Sequence, residues 1–200
     1  MGPHTFSVPR FQSAETVNCQ SEYPVSENEL LKIIAILRLA VPYTGMIIST
    51  RERPEIRAKA FEIGISQTSA GSRTSPGGYG EESKEVSQFE LQDERSLDEV
   101  VKSVLEQGLL PSFCTACYRS SRTGKTFMDL AKPGNIHNFC RPNAILTFQE
   151  YLDDYAFPQV KKFGQEIIEK YLLEIPSQKI RLETLNKLER IKKGERDLYF

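Results

Sequence analysis

The chain of 200 residues contains no tryptophan, only two histidines and only four cysteines, and its net charge is close to zero. A formal charge of −1 gives no general attraction to nucleic acid or to an anionic membrane surface, so neither is an expected partner. No apolar run approaches the roughly 20 residues of a membrane span. The amino terminus has no basic segment followed by an apolar one, so no secretion signal is expected. We therefore expect a cytoplasmic location, or an organelle in a eukaryote.

The cysteines are few, but three of them are close together in the sequence. Cys114-Thr-Ala-Cys117 is followed after 22 residues by Cys140. Without a secretion signal, this pattern indicates metal or redox chemistry rather than a disulfide framework. Three thiolates could hold three corners of a cubane iron–sulfur cluster, or could form a zinc site with His137. Thiols that bind nothing are a third alternative.

Three basic residues flank the thiols: Arg119, Arg122 and Lys125. They could neutralise an anionic cluster, or they could simply face water. The sequence alone does not distinguish between these two roles.

The first 110 residues alternate between strand-like and helix-like segments. The predicted segments, in chain order, are the strand Thr5–Val8, the helix Glu27–Ala40, the strand Thr44–Thr50, the helix Pro54–Ile63, the strand Ile65–Ala70 and the helix Leu97–Gln107. This order is typical of parallel βα units. Three strands cannot close a (βα)8 barrel of about 250 residues. The predicted fold is therefore α/β, with about three βα units from the carboxy-terminal part of such a barrel.

After residue 110 the character of the sequence changes. The cysteine segment is predicted to be loop-rich, because it contains Gly124, Pro133 and Gly134, and the third thiol is expected to arrive from a loop. The predicted helices are Asn143–Tyr155, Gln159–Leu173 and about Lys179–Lys193. We therefore predict two domains, residues 1–110 and a mostly helical extension over residues 111–200.

Two further candidates lie near predicted strands. Ligands of parallel βα folds bind where the carboxyl ends of strands open into loops. The turn Ser69-Ala-Gly-Ser-Arg73 follows the third strand, where Arg73 could clamp a carboxylate or could simply be solvated. His4 precedes the first strand, and a lone histidine is more often a hydrogen-bonded structural residue than a ligand.

Several motifs of the chain match one known family. The matching segments are Gly2-Pro-His-Thr-Phe-Ser-Val-Pro-Arg10, Leu37-Arg-Leu-Ala-Val-Pro-Tyr-Thr-Gly-Met46, Ser69-Ala-Gly-Ser-Arg73, Cys114-Thr-Ala-Cys-Tyr-Arg119, Arg122-Thr-Gly124 and Cys140. Together they resemble the carboxy-terminal half of the HydG family, the radical SAM tyrosine lyases that mature FeFe-hydrogenase. The first 110 residues resemble the biotin and thiamin synthesis-associated (BATS) region, and the Cys-x2-Cys-x22-Cys tail distinguishes the maturases from other proteins that share that region.

The resemblance implies an activity and a set of ligands. The family cleaves tyrosine to p-cresol and dehydroglycine, from which carbon monoxide and cyanide are made. It implies that Cys114, Cys117 and Cys140 bind an auxiliary 4Fe-4S cluster. It also implies that His4 binds an additional iron, on which cysteine is a further ligand. Arg73 becomes a candidate for the tyrosine carboxylate, and Ser69 for the same substrate site.

The chain departs from the family at two points. It contains no Cys-x3-Cys-x2-Cys motif, so S-adenosylmethionine and a second 4Fe-4S cluster are expected only in the complete enzyme, with its amino-terminal barrel half. Alone, this portion of a lyase is expected to be inactive, and hydrogenase maturation proteins are its expected partners. Ser121 stands where glycine is expected in an Arg-x-Gly-Arg-Thr-Gly stretch. Two alternatives stay open: a stand-alone zinc module, and a barrel-family lyase that acts on another amino acid.

Overall fold

A computed structural model of the chain describes residues 4–14, 21–79 and 87–200. The chain divides into two compact units, Gly2–Leu97 and Asp98–Phe200. The predicted domain boundary after residue 110 stays a prediction. Cys19 and the first two residues of the Gly2-Pro-His-Thr segment lie outside the described residues.

The first unit contains a small parallel sheet and two helices. Its elements are β1 (Thr5–Ser7), α1 (Glu27–Ala40), β2 (Gly45–Ile48), α2 (Pro54–Glu62) and β3 (Gln67–Thr68). The sheet order is β1-β2-β3 with both pairs parallel, which confirms the predicted βα order. The strands are shorter than predicted. The structure shows a mixed α/β fold, and membership of a (βα)8 barrel stays a prediction.

Helix α1 has the bounds that the sequence predicts, because its amino-terminal cap is encoded locally. The Ser26 hydroxyl accepts a hydrogen bond from the Glu29 amide, and the Glu29 carboxylate accepts one from the Ser26 amide at 2.8 Å. This reciprocal capping box satisfies two amides that the helix cannot pair itself. Leu30 and Ile34 then face a buried cluster of the first unit, which also contains Met46, Ile48, Ile56, Ala60 and Ile65.

The second unit is helical in its described residues. Its elements are α3 (Leu97–Glu106), α4 (Ala116–Arg119), α5 (Gly124–Ala131), α6 (His137–Asp154), α7 (Pro158–Leu173) and α8 (Gln178–Lys192). The first residue of α3, Leu97, is the last residue of the first unit. Helix α6 packs against both α7 and α8. A Cβ atom on Gly164 of α7 would lie 2.7 Å from a methyl group of Leu152, so the close approach of α7 to α6 requires a glycine here.

Two sequence predictions about this unit are wrong. The cysteine segment is not mainly loop, since it contains α4 and α5. Helix α6 begins at His137 rather than Asn143, and Pro142 lies inside it. Proline normally marks a helix boundary because it lacks an N–H, but near a helix start only one backbone hydrogen bond is lost. None of the helices in the described ranges is long and apolar enough to cross a membrane.

Candidate metal centre

The three thiols of the Cys-x2-Cys-x22-Cys pattern are carried by two short stretches of the second unit. Cys114 precedes α4, and Cys117 lies within it. Cys140 lies in the first turns of α6, so the third thiol comes from a helix and not, as predicted, from a loop. The amide of Ala116 donates a hydrogen bond to the Cys114 sulfur at 3.4 Å, and the amide of Phe113 donates to the Thr147 hydroxyl of α6 at 3.2 Å. These contacts hold the Cys114 segment against α6.

The structure brings the three thiols close enough to influence one another. Cys140 is exposed at the surface, but partial desolvation of its thiol by nearby atoms raises the pKa to about 11, and the charges of Cys117 and Cys114 add to this effect. Desolvation also raises the pKa of Cys114, with a further contribution from Cys117. Arg122 acts in the opposite direction on both thiols. The thiols of Cys114 and Cys140 are therefore protonated at neutral pH, and their ligation to a metal would release protons.

The chemistry of the donor set fits an iron–sulfur cluster. All three cysteines are free, and their sulfur atoms are soft ligands for iron. Among the described residues, no three His, Cys, Asp or Glu side chains are placed to share one metal ion. In a cubane cluster each thiolate binds a different iron, so its thiolates need not converge as closely as the ligands of a single ion.

Arg122 lies between the two cysteine stretches. Its amide donates a hydrogen bond to the Cys117 carbonyl at 2.7 Å. Its guanidinium carbon lies 4.5 Å from the centre of the Phe139 ring, next to Cys140 in sequence, and its Nη2 donates to the Phe200 carbonyl at 2.5 Å. Its Nε is buried and has no hydrogen-bond partner.

The other two basic residues of this segment have different surroundings. Arg119 forms an ion pair with Asp197, and its guanidinium carbon lies 4.6 Å from the centre of the Tyr199 ring. Lys125 is exposed and lies 3.9 Å from the Asp129 carboxylate, one helical turn away. Of the three residues that the sequence could not distinguish, Arg122 is the one that packs against both cysteine stretches.

Asn143 is a residue of this region that sequence reasoning missed. It is buried on α6, and its side chain lies close enough to the Cys114 thiol to oppose the rise in the pKa of that thiol. It also pairs with the backbone of Phe200, accepting from the amide at 2.8 Å and donating to the carbonyl at 3.5 Å. The sequence offered one indication of this role: Asn143 directly precedes Ala144 and Ile145, which lie on the apolar face of a predicted helix.

The backbone after α4 explains the expected glycine at position 121. Ser121 has a φ of 54°, which residues other than glycine seldom adopt. The Arg122 amide bonds to the Cys117 carbonyl, and the Ser121 amide bonds to the Tyr118 carbonyl at 3.3 Å. This is a Schellman motif with serine at its left-handed position, and it directs Arg122 back toward the thiols.

His137, the fourth ligand of the alternative zinc site, begins α6 and is exposed to solvent. It lies three residues before Cys140, so the two side chains lie on neighbouring positions of the helix surface. The geometry of the described residues contains no ready-made zinc site.

The predicted substrate residues lie together in the first unit. Ser69 and Arg73 line a cavity of about 340 Å³ beyond the carboxyl ends of the strands, together with Ser7, Pro9, Ser49, Thr50, Arg51, Ser72, Thr74, Tyr79, Phe89 and Leu91. Arg73 is exposed and forms no ion pair with another described residue. Arg51, which sequence reasoning missed, has its guanidinium carbon 4.0 Å from the centre of the Phe89 ring.

His4 lies at the other end of the same sheet. It directly precedes β1, and its carbonyl accepts a hydrogen bond from the Gly45 amide at 3.1 Å. Ser69 directly follows β3. By the register of the sheet, His4 and Ser69 are five residues apart along the strand direction, which at about 3.3 Å per residue is roughly 16 Å. His4 is therefore not part of the cavity that Ser69 and Arg73 line.

Comparison with known proteins identifies the family. Residues 7–110 match the family model described as the Biotin and Thiamin Synthesis associated (BATS) domain. The chain belongs to the BATS family. The 2-iminoacetate synthase of Escherichia coli K12 is 36% identical over 87 residues, which are 44% of this chain and 23% of the relative. The Salmonella typhimurium LT2 2-iminoacetate synthase is 32% identical over 108 residues, which are 54% of this chain and 28% of that protein.

Two solved structures match this BATS-family chain over nearly all of its length. A crystal structure of HydG, described as a maturase of the [FeFe]-hydrogenase, is 54% identical with a TM-score of 0.93, and the match covers 100% of this chain and 43% of HydG. HydG of Carboxydothermus hydrogenoformans is 36% identical with a TM-score of 0.70, over 94% of this chain and 40% of that protein. The predicted resemblance to the carboxy-terminal part of HydG is confirmed. The chain spans less than half the length of each of these relatives.

Proposed function

We propose that this chain is the auxiliary-cluster portion of a HydG-type radical SAM tyrosine lyase. In this proposal Cys114, Cys117 and Cys140 hold a 4Fe-4S cluster in the second unit. The observation that carries the proposal is the meeting of these three thiols, which come from two separate stretches, around one arginine. The similarity to HydG over the whole chain supports the same assignment.

The bound cluster would supply an iron that the three cysteines leave open to a further ligand. The residues of this chain have separate tasks around it. The Ala116 amide donates a hydrogen bond to the Cys114 sulfur, and the Asn143 side chain lies close to the same thiol; such contacts to ligand sulfurs orient the ligand and tune the metal. The binding of an additional iron by His4, with cysteine as its further ligand, stays a prediction from the family resemblance.

The cavity of the first unit is the proposed place for the tyrosine substrate. Its position beyond the carboxyl ends of parallel strands is the usual ligand site of such sheets. Arg73 carries a positive charge that no described residue neutralises, which suits a carboxylate, and Ser69 is half-buried beside it.

The remaining parts of the reaction belong to the complete enzyme. We propose that the three strands form part of a (βα)8 barrel whose other half carries the 4Fe-4S cluster that reduces S-adenosylmethionine. That enzyme would release carbon monoxide and cyanide from tyrosine, and hydrogenase maturation proteins would be its partners. A cytoplasmic location stays a prediction.

Anaerobic reconstitution of the chain with iron and sulfide tests the proposal. We expect about four irons per chain and an EPR signal on reduction, as for a Cys-ligated 4Fe-4S cluster. A Cys114→Ala, Cys117→Ala double variant should lose both. Cys19→Ala is the control, since Cys19 is outside the proposed ligand set, and it should load like the unaltered chain.

Zinc is the competing outcome of the same experiment. His137 and Cys140 lie three residues apart on α6, which would allow both to ligate one zinc ion. His137→Ala should leave cluster loading intact if the proposal is right. One tightly held zinc per chain, lost in His137→Ala, with no cluster formed by the folded chain, would replace the proposal with a structural zinc module.

A further inference from the structure

Several contacts hold Arg122 in place, and none of them is a hydrogen bond from its Nε–H group. Its amide bonds to the Cys117 carbonyl at 2.7 Å, its guanidinium lies over the Phe139 ring, and its Nη2 donates to the Phe200 carbonyl at 2.5 Å. Its Nε is buried and has no hydrogen-bond partner. A buried donor without a partner is costly, so such a group in a native protein needs an explanation.

The charge of Arg122 has no side-chain counter-charge. No Asp or Glu side chain of a described residue forms an ion pair with it, whereas Arg119 and Lys125 pair with Asp197 and Asp129. The groups that Arg122 does face are the thiols of Cys114 and Cys140. An anion bound at these thiols would satisfy both the charge and the N–H group.

We propose that Arg122 is a positioning residue for the iron–sulfur cluster, whose Nε–H donates a hydrogen bond to a cluster sulfur and whose charge raises the cluster's reduction potential. The inference rests on the proposed function, because it needs a cluster at the three cysteines. Net charge and hydrogen bonds to the sulfurs are among the factors that set the potentials of such clusters.

The surroundings of Arg122 favour arginine over lysine at this position. The planar guanidinium stacks on Phe139, donates to Phe200 and leaves its Nε–H available for a further acceptor. A lysine ammonium has the charge but neither the plane nor the fixed direction of the Nε–H bond. The Schellman turn at Ser121 fixes the backbone from which this side chain extends.

A redox titration of the reconstituted chain, followed by EPR, tests the inference. The measured couple is the one-electron reduction of the cluster by a chemical titrant. We expect Arg122→Gln to lower the ratio of reduced to oxidised cluster about tenfold at a fixed potential, which corresponds to a midpoint about 59 mV more negative. Arg122→Lys should shift it less. Arg119→Gln and Lys125→Gln each remove one positive charge nearby and should leave the midpoint unchanged.

A spectroscopic measurement separates the hydrogen bond from a general charge effect. Proton ENDOR of the reduced cluster should show, in the unaltered chain, one more exchangeable coupled proton than the Ala116 amide supplies, and this additional proton is that of Arg122 Nε. Both Arg122→Gln and Arg122→Lys should lack it. An Arg122→Gln midpoint and coupling that match the unaltered chain would overturn the inference, and so would an equal midpoint shift in Arg119→Gln.

The two proposals fail in different ways. If the unaltered chain forms no cluster, the proposed function fails and this inference fails with it. If the unaltered chain loads and the double cysteine variant does not, while Arg122→Gln behaves normally, only the inference fails. If Arg122→Gln does not bind a cluster, Arg122→Lys provides the test instead. A cluster in Arg122→Lys with the same midpoint potential and proton coupling as in the unaltered chain would contradict the proposed role of Arg122.

Discussion

Arg57 in the first unit and Arg122 in the second both have a buried Nε atom without a hydrogen-bond partner, but their surroundings differ. The Arg57 side chain is 2% exposed and forms an ion pair with Asp93, whose side chain is fully buried. Its Nη2 donates to both the Thr68 hydroxyl and the Ser69 carbonyl. The protein therefore neutralises Arg57 itself, and holds the end of β3 by doing so.

Arg122 shows the opposite arrangement. Its neighbours are an aromatic ring, the main-chain oxygen of Phe200 and the thiols of Cys114 and Cys140, and no Asp or Glu side chain of a described residue pairs with it. Arg122 is half-buried, and a cation that is partly withdrawn from water is stabilised by an accompanying anion. In the first unit Asp93 is the anion that accompanies Arg57. In the second unit a ligand bound at the cysteines would be the anion that accompanies Arg122. The comparison distinguishes a structural ion pair from a site that is incomplete without a ligand.

The largest effect is expected at the structural pair. Asp93→Asn leaves Arg57 as a buried cation without a counter-charge, and should lower the free energy of unfolding by about 3–5 kcal/mol. Urea denaturation followed by circular dichroism measures the loss, and hydrogen exchange assigns it to the first unit. Asp129→Asn is the control, because Asp129 is an exposed partner of Lys125, and it should cost at most about 1 kcal/mol. Equal losses in the two variants would contradict the structural role of Asp93.

The pH dependence of stability gives a second measurement on Asp93. Burial raises the pKa of Asp93, but hydrogen bonds from Arg95 and the charge of Arg57 outweigh it, so the folded-state pKa lies below the ordinary value. Its stabilising contribution is therefore present above pH about 4 and is lost as the pH falls through the folded-state pKa. Asp93→Asn should show a flatter profile in that acidic range than the unaltered chain.

A smaller effect is expected for Arg122→Gln in the metal-free chain. The variant loses the hydrogen bond to Phe200 and the contact with Phe139, but it leaves no buried carboxylate behind. We expect a loss of about 1–2 kcal/mol in the free energy of unfolding. Thermal unfolding before and after reconstitution measures it, and the difference from the unaltered chain should grow once a cluster is bound. A metal-free loss as large as that of Asp93→Asn would mean that Arg122 already has a counter-charge in the protein.

The same contrast separates what the sequence could predict from what it could not. Helix α1 was predicted with its observed bounds because Ser26 and Glu29 encode its start locally. The parallel order of the three strands followed from segment alternation, and the resemblance to HydG followed from contiguous motifs. These features depend on residues that are close in sequence.

Features that depend on long-range contacts were missed. Helix α6 continues through Pro142 because its packing against α7 and α8 outweighs one lost hydrogen bond. The contacts of Phe200 with Arg122 and Asn143 join residues that are 78 and 57 positions apart. No local pattern indicates such pairs, so the sequence could not select Arg122 from among its basic neighbours.

The smallest effect concerns the turn that carries Arg122. Ser121 occupies a left-handed conformation that costs an L-residue about 1–2 kcal/mol, while glycine loses more chain entropy on folding. Ser121→Gly should therefore stabilise the chain by about 0.5–1 kcal/mol, measured as a rise in melting temperature. Ser120→Gly is the matched control, because Ser120 has an ordinary φ of −96° and glycine there should destabilise. If both variants shifted the melting temperature in the same direction, the turn after α4 would not have the left-handed geometry that directs Arg122 toward the thiols.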